Sequence, residues 1–319
     1  MAVHAFIFPG QGSQAPGMGR DLAGAFAAAR EVFQEVDDAL GQKLSAIMFE
    51  GPAETLTLTE NAQPALMAHS LAVLRVLESE GGFKLADRAV VVAGHSLGEY
   101  SALAAAGGFR LAQAARLLKL RGLAMQKAVP PGAGSMAALL GAELALAQEI
   151  CAAAATNPEG VVEVIEPGND NGGGQVVISG ATAAIERAIV IAAAKGVRRA
   201  MKLPVSAPFH CAMMAPAAAA MAEALLASPP LAPAVPVVAN VSAAKATDPA
   251  EIIDLLVRQV TAMVRWRESM LAMAGLGVTS FVELGAGRVL SGLVKRVTPD
   301  ATAANAGTPA ELEALLKLL

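Results

Sequence analysis

Cysteine, tryptophan and tyrosine are almost missing from this chain, at two, one and one among 319 residues. Cys151 and Cys211 stand far apart, with no neighbouring Cys or His at a zinc-ligand spacing, so a structural metal is not expected and reduced thiols in the cytoplasm are. Aromatic residues make up only 3%, which argues against a surface that stacks single-stranded bases. Charged residues are also sparse, at 16%, and the net charge of -4 removes any global pull toward nucleic acid or an anionic membrane. No run approaches the roughly 18 uninterrupted apolar residues of a membrane span. The opening "MAVHAFIFPGQG" lacks a basic flank and reads as a first strand, not a signal peptide.

What the chain does have is apolar bulk, 55% of its residues and much of it alanine, enough for one large domain or two smaller ones. Short apolar runs alternate with helical patterns over the first 130 or so residues. Strands are expected at Ala5 to Phe8 and at "AVVVA", with helices over Asp21 to Leu40, Gln63 to Glu80, from Glu99, and over Leu111 to Lys127. Strands separated by helices of that length imply a parallel sheet covered on both faces.

"VPPGAGS" at Val129 to Ser135 breaks the pattern. Beyond it come a strand at Met136 to Leu140, a helix at Glu143 to Ala155, strands at Val161 to Ile165 and Gln175 to Ser179, a helix at Thr182 to Lys195 and a strand at Arg199 to Leu203. That order is βαββαβ, a ferredoxin-like unit inserted into the larger domain. The expected division is residues 1–131 with 206–319 for the large α/β part, and 132–205 for the small one. The α/β pattern resumes with strands in "VPVVANV" and "TSFVELG" and a helix over Pro249 to Trp266.

The chemistry concentrates at "GHSLGE", where Ser96 follows an apolar strand and precedes a helix, flanked by Gly94 and Gly98. Glycines two residues either side let strand and helix close on a sharp turn that pushes the hydroxyl outward, the nucleophile-elbow arrangement. Of the four histidines, His4, His69 and His95 read as surface or core residues, whereas His210 lies where the chain re-enters the large domain and is the candidate base. Of the acids between Ser96 and His210 only Asp170, in "GNDNGGG", occupies a flexible glycine-rich loop, no acid announces itself as a triad member, and a dyad whose imidazole is oriented by a backbone carbonyl is the alternative. Arg121 shares a helical face with Ala114, Leu117, Leu118 and Met125. An arginine in an apolar stripe either snorkels, meets an internal acid, or awaits an anionic substrate. Gln259 likewise shares a face with Ile252, Leu256, Met263 and Trp266, and Gln11 sits in the turn after the first strand. Neither glycine-rich stretch has phosphate-loop or dinucleotide spacing, so nucleotide-dependent catalysis is not expected.

Together "GQGSQ", "GHSLGEYSAL", "RGLAMQ", "NGGGQVVISG", "PVSAPFHCAMM" and "LVRQVTAMVRW", in this order along nearly the whole chain, resemble the malonyl-CoA:acyl carrier protein transacylases of fatty acid and polyketide synthesis. The resemblance implies an α/β-hydrolase-like large subdomain with a ferredoxin-like insert. It implies that Ser96 is acylated and His210 is its base, that Arg121 pairs with the malonyl carboxylate, and that Gln11 and the N–H of Leu97 form the oxyanion hole. It also implies that the Gln259 carbonyl orients His210 and that Asn171 lies near the substrate. Malonyl-CoA and an acyl carrier protein would be the partners, coenzyme A the product, with no cofactor and a monomeric enzyme. Phe209 before the base and Leu97 after the nucleophile fit malonyl over methylmalonyl groups. Gly173 and Ala286 stand where proline is common in the family. Two rival expectations remain: a serine hydrolase using Ser96, His210 and Asp170, and a non-catalytic scaffold. Lys195, Arg198, Arg199 and Lys202, or Lys295 and Arg296, are candidates for meeting an acidic carrier protein or for plain solvated charge.

Overall fold

The computed structural model describes residues 2–205 and 207–318. Among the described residues ten strands carry the architecture: β1 (His4–Phe8), β2 (Ala89–Gly94), β3 (Gly134–Leu140), β4 (Ile165–Gly172), β5 (Gln175–Ala181), β6 (Arg199–Lys202), β7 (Val237–Val238), β8 (Lys245–Ala246), β9 (Ser280–Leu284) and β10 (Thr302–Ala306). They form two sheets, β10-β9-β1-β2-β7-β8 and β4-β5-β3-β6.

In the first sheet every pairing from β10 through β7 is parallel, and only the short β8 runs antiparallel. The strand period of two divides its side chains between opposite faces. Phe6, Phe8 and Val92 enter the main core, while Ala5, Ile7, Val91 and Ala93 pack with Trp266, Met270 and Phe281 on the other side. Burial on both faces explains why these strands read as unbroken apolar runs. A consequence of parallel order is that β1, β2 and β7 end at the same edge, which brings Gln11, Ser96 and Asn240 into one neighbourhood.

The second sheet is wholly antiparallel, and two helices, Leu144–Ala154 and Thr182–Ala194, close its core around Ile150, Ile178 and Ile185. Element order and strand order together are those of the ferredoxin-like unit expected from the sequence. The expected boundary at Ser206 lies outside the described residues.

Several elements differ from the sequence reading. The helix expected over Asp21 to Leu40 is two, Arg20–Ala25 and Ala27–Leu40, interrupted where Phe26 turns extended at φ -125° and ψ 128°. The expected Gln63 helix begins earlier, as Thr59–Gly81. The expected strand at Val161 to Ile165 lies further on: Val161 and Val162 are exposed, and β4 takes in the polar segment through Gly172. That segment is held on both sides, by β5 and by Val264, which exchanges backbone hydrogen bonds of 2.9 Å with Gly168 and Asp170. The helix expected to reach Trp266 ends at Thr261, Ala262 is extended, and Trp266 starts the next helix, Trp266–Gly275. Met263 and Trp266 therefore do not share a helix with Gln259. Beyond Pro299, the stretch left without a role supplies the edge strand β10 and the helix Pro309–Leu316.

Candidate active site

The elbow is built from close approach. A Cβ on Gly94 would lie 1.9 Å from the Gly98 carbonyl, and one on Gly98 would lie 2.3 Å from the Phe8 oxygen. Any side chain at either position would push the strand and the helix Gly98–Ala105 apart. Between them Ser96 is held at φ 53°. Left-handed backbone is disfavoured for residues with a Cβ, and among the described residues only Ser96, His210 and Ala243 adopt it outside glycine.

The other two members of that set are informative, because one of them is Ser96's neighbour in space. Ser96 Oγ is 2.7 Å from His210 Nε2, and His210 Nδ1 donates to the backbone oxygen of Gln259 at 2.8 Å. A proton fixed on Nδ1 leaves the Nε2 lone pair facing the hydroxyl. Burial and then the nearby Arg121 cation push the His210 imidazole down to about 3, against the hydrogen bond to Gln259, so it is neutral and able to accept a proton at physiological pH.

Arg121 lies on the helix Leu111–Lys127 and is only 1% exposed. Its Nη2 donates to Gln259 Oε1 at 2.9 Å and reaches Ser96 Oγ at 3.2 Å, while Nη1 donates to Gln63 Oε1 at 2.8 Å. Its ring neighbour is Tyr100, 5.8 Å from the guanidinium carbon. Burial lowers its basicity, countered by Tyr100 and Glu99. All three of its hydrogen-bond partners are neutral, and the snorkelling and direct ion-pair readings are both excluded by these contacts.

Gln11 and Leu97 line the same cavity of about 420 Å³ as Ser96, Arg121 and His210. Asn171 is one layer back, where its Oδ1 accepts from His95 Nε2 at 2.8 Å, and Asn169 on the same strand lines the cavity instead. His95, read from sequence as unremarkable, also lines it, with its ring 5.5 Å from Trp266. Asp170 does not complete a triad: it is buried, pairs with Arg267 Nε at 2.9 Å and accepts from Gly172 N.

Sequence reasoning missed Gln63, Glu99 and Asn240. Glu99 is buried and its carboxyl is pushed up to about 7 by burial, against hydrogen bonds from Asn240 and Gln259 and the attraction of Arg121. Glu99 stands inside the elbow motif and looked like an ordinary first-turn acid. Gln63 and Asn240 carry no local signal at all.

A family model described as "Acyl transferase domain" matches residues 5–309. The chain belongs to this family. It is 45% identical to the malonyl CoA-acyl carrier protein transacylase of Escherichia coli (strain K12), over 100% of both chains. It is 54% identical to the solved acyl-carrier-protein-S-malonyltransferase of Bartonella henselae, with a TM-score of 0.95 and 99% of each chain covered. It is also 41% identical to a type II PKS malonyl-transacylase solved in complex with its acyl-carrier protein, with a TM-score of 0.94 and 100% of each chain covered. Membership and these likenesses bear out the expected fold class, an α/β-hydrolase-like part joined to a ferredoxin-like one. Among the described residues no group of three or more His, Cys, Asp or Glu is placed to hold a metal ion, and no helix is long and apolar enough to cross a membrane.

Proposed function

We propose that the protein transfers a malonyl group from malonyl-CoA to the phosphopantetheine thiol of an acyl carrier protein, through an ester on Ser96. The observation that carries this reading is Arg121, a fully buried guanidinium beside the nucleophile with neutral hydrogen-bond partners. A buried cation without a direct counter-charge is costly, and a substrate carboxylate supplies one. The same pairing offsets the cation that lowers His210, so the base gains strength as the acyl donor binds.

In the first half-reaction Ser96 Oγ attacks the thioester carbonyl carbon while His210 Nε2 takes the hydroxyl proton. The oxyanion is received by the N–H of Leu97 and by Gln11, the C–S bond breaks, and the proton on His210 passes to the departing coenzyme A sulfur. In the second half the carrier-protein thiol gives its proton to His210, attacks the ester carbon, and Ser96 recovers its proton as the C–O bond breaks. The Gln259 carbonyl keeps His210 in one tautomer throughout. Asn171 acts through His95 on the cavity wall.

The working division is residues 1–131 with 206–319 for the catalytic part and 132–205 for the smaller one, in a cytoplasmic enzyme that needs no cofactor. The rival hydrolase triad loses its acid, because Asp170 is committed to Arg267. The test is transfer from malonyl-CoA to a holo carrier protein. Transfer by the wild type and none by Ser96→Ala supports the reading, whereas free malonate released at one rate with or without carrier contradicts it.

A further inference from the structure

Asn240 follows the short strand β7 and is fully buried. Its side-chain amide is committed in both directions. Oδ1 accepts from the Ser96 backbone N–H at 2.7 Å, and Nδ2 donates to the Gly94 carbonyl at 2.7 Å. The amide thus spans the elbow and satisfies a backbone donor and a backbone acceptor that the turn leaves without helix or strand partners. Its own backbone is pinned as well: Asn240 N donates to Glu99 Oε2 at 2.9 Å, and Asn240 O accepts from Arg265 N at 3.0 Å.

The Glu99 oxygen has a second donor. Gln259 Nε2 reaches Glu99 Oε2 at 2.8 Å and the Ser96 carbonyl at 3.0 Å. One carboxylate oxygen therefore joins Asn240, which holds the serine, to Gln259, whose backbone oxygen holds the histidine. Since Ser96 sits at a strained φ of 53°, its geometry has to be imposed by such neighbours.

We propose that Asn240 is a positioning residue for the Ser96–His210 pair, clamping the elbow between Gly94 and Ser96 and fixed in register with Gln259 through Glu99. It touches neither acyl group nor coenzyme A. Its loss lowers the rate at which Ser96 reacts without altering which acyl group is preferred. The inference deepens the transferase reading and rests on it only for the acyl donor.

The test is the rate of adduct formation at Ser96, followed by intact mass, with malonyl-CoA and separately with a neutral alkyl fluorophosphonate. Asn240→Ala forms both adducts more slowly by roughly 100-fold, the scale of a misplaced reacting group, while half-saturation by malonyl-CoA stays within about 3-fold. Asn240→Asp keeps the shape but, ionised, has no donor for Gly94. Glu99 faces it directly, with Arg121 reached through Gln259 and His210 beyond, and full burial favours its protonated form. Protonated, the aspartic acid again offers one accepting and one donating oxygen. Its rate relative to wild type at the same pH therefore recovers as pH falls. Rates for Asn240→Ala within about 3-fold of wild type with both reagents overturn the proposal. Should Asn240→Ala fail to fold, a flat ratio for Asn240→Asp across pH overturns it instead. A wild type that takes the phosphonate but no malonyl group defeats the transferase reading and leaves the clamp standing.

Discussion

At the scale of single residues the proposed function rests on Arg121. A guanidinium taken out of water is stabilised by Gln63, Gln259 and the Tyr100 ring, and each of these aims the fork toward Ser96 without neutralising it. Replacing it leaves a malonyl carboxylate unpaired in a closed site, at a cost on the order of 3 to 5 kcal/mol, or roughly a hundred- to several-thousand-fold in kcat/KM. Arg121→Ala is therefore expected to lose malonyl transfer far more than acetyl transfer, measured as paired kcat/KM values for the two donors. Equal losses for both remove the carboxylate-clamp role. Arg121 was legible in the sequence because a charge inside an apolar stripe breaks a periodic pattern. Gln63 was not, since a glutamine near the start of a buried helix breaks nothing, and only the fold places it against the guanidinium.

At the scale of elements, the elbow is a demand made by backbone contacts on two glycines. Gly94→Ala and Gly98→Ala each drive a Cβ into backbone that cannot give way, and each is expected to cost more than about 3 kcal/mol in urea unfolding or to abolish Ser96 labelling in whatever remains folded. Gly107 is the contrast. It has φ 78° but nothing near its absent Cβ, so Gly107→Ala costs about 1 kcal/mol and leaves labelling intact. Comparable costs at all three positions argue against the close-approach account. The elbow was readable because its spacing, strand and helix are contiguous. β4 was misplaced for the opposite reason: "GNDNG" has the composition of a loop, and its strand character comes from pairing with β5 and with Val264, nearly a hundred residues away. Propensity at Val161 and Val162 pointed to a strand, but pairing there stops at one isolated bridge between Val162 and Thr156.

Among the described residues the strands form two sheets, the smaller sending Met136, Ala138 and Val177 into the main core, and the cavity is lined from both: Met136 and Asn169 belong to the smaller sheet, Gln11 and Ser96 to the ends of the larger. That division was visible in the order of elements, whereas the closing of the large sheet by β10 was not, because its sequence carries little apolar signal. His69 fastens this region by donating from Nε2 to the Gly307 carbonyl at 2.9 Å, and burial pushes its imidazole down to about 4 from 6.5. The unfolded chain then binds the extra proton between those values, so this contribution to stability is complete above pH 6.5 and is lost as pH falls toward 4. Its full size is on the order of 3 kcal/mol. Unfolding midpoints at pH 5 and 7.5 are expected to differ less in His69→Gln than in the wild type, and identical differences contradict the assignment.

In the proposed function Ser96 carries a malonyl group between two thiols. This transfer is tested most directly by intact-protein mass spectrometry after brief mixing with malonyl-CoA and, separately, acetyl-CoA, with the adduct located by peptide mapping. A malonyl ester is expected on Ser96, formed in preference to acetyl and lost when holo carrier protein is added. No adduct with either donor, or an adduct that holo carrier protein leaves in place, contradicts the proposed function.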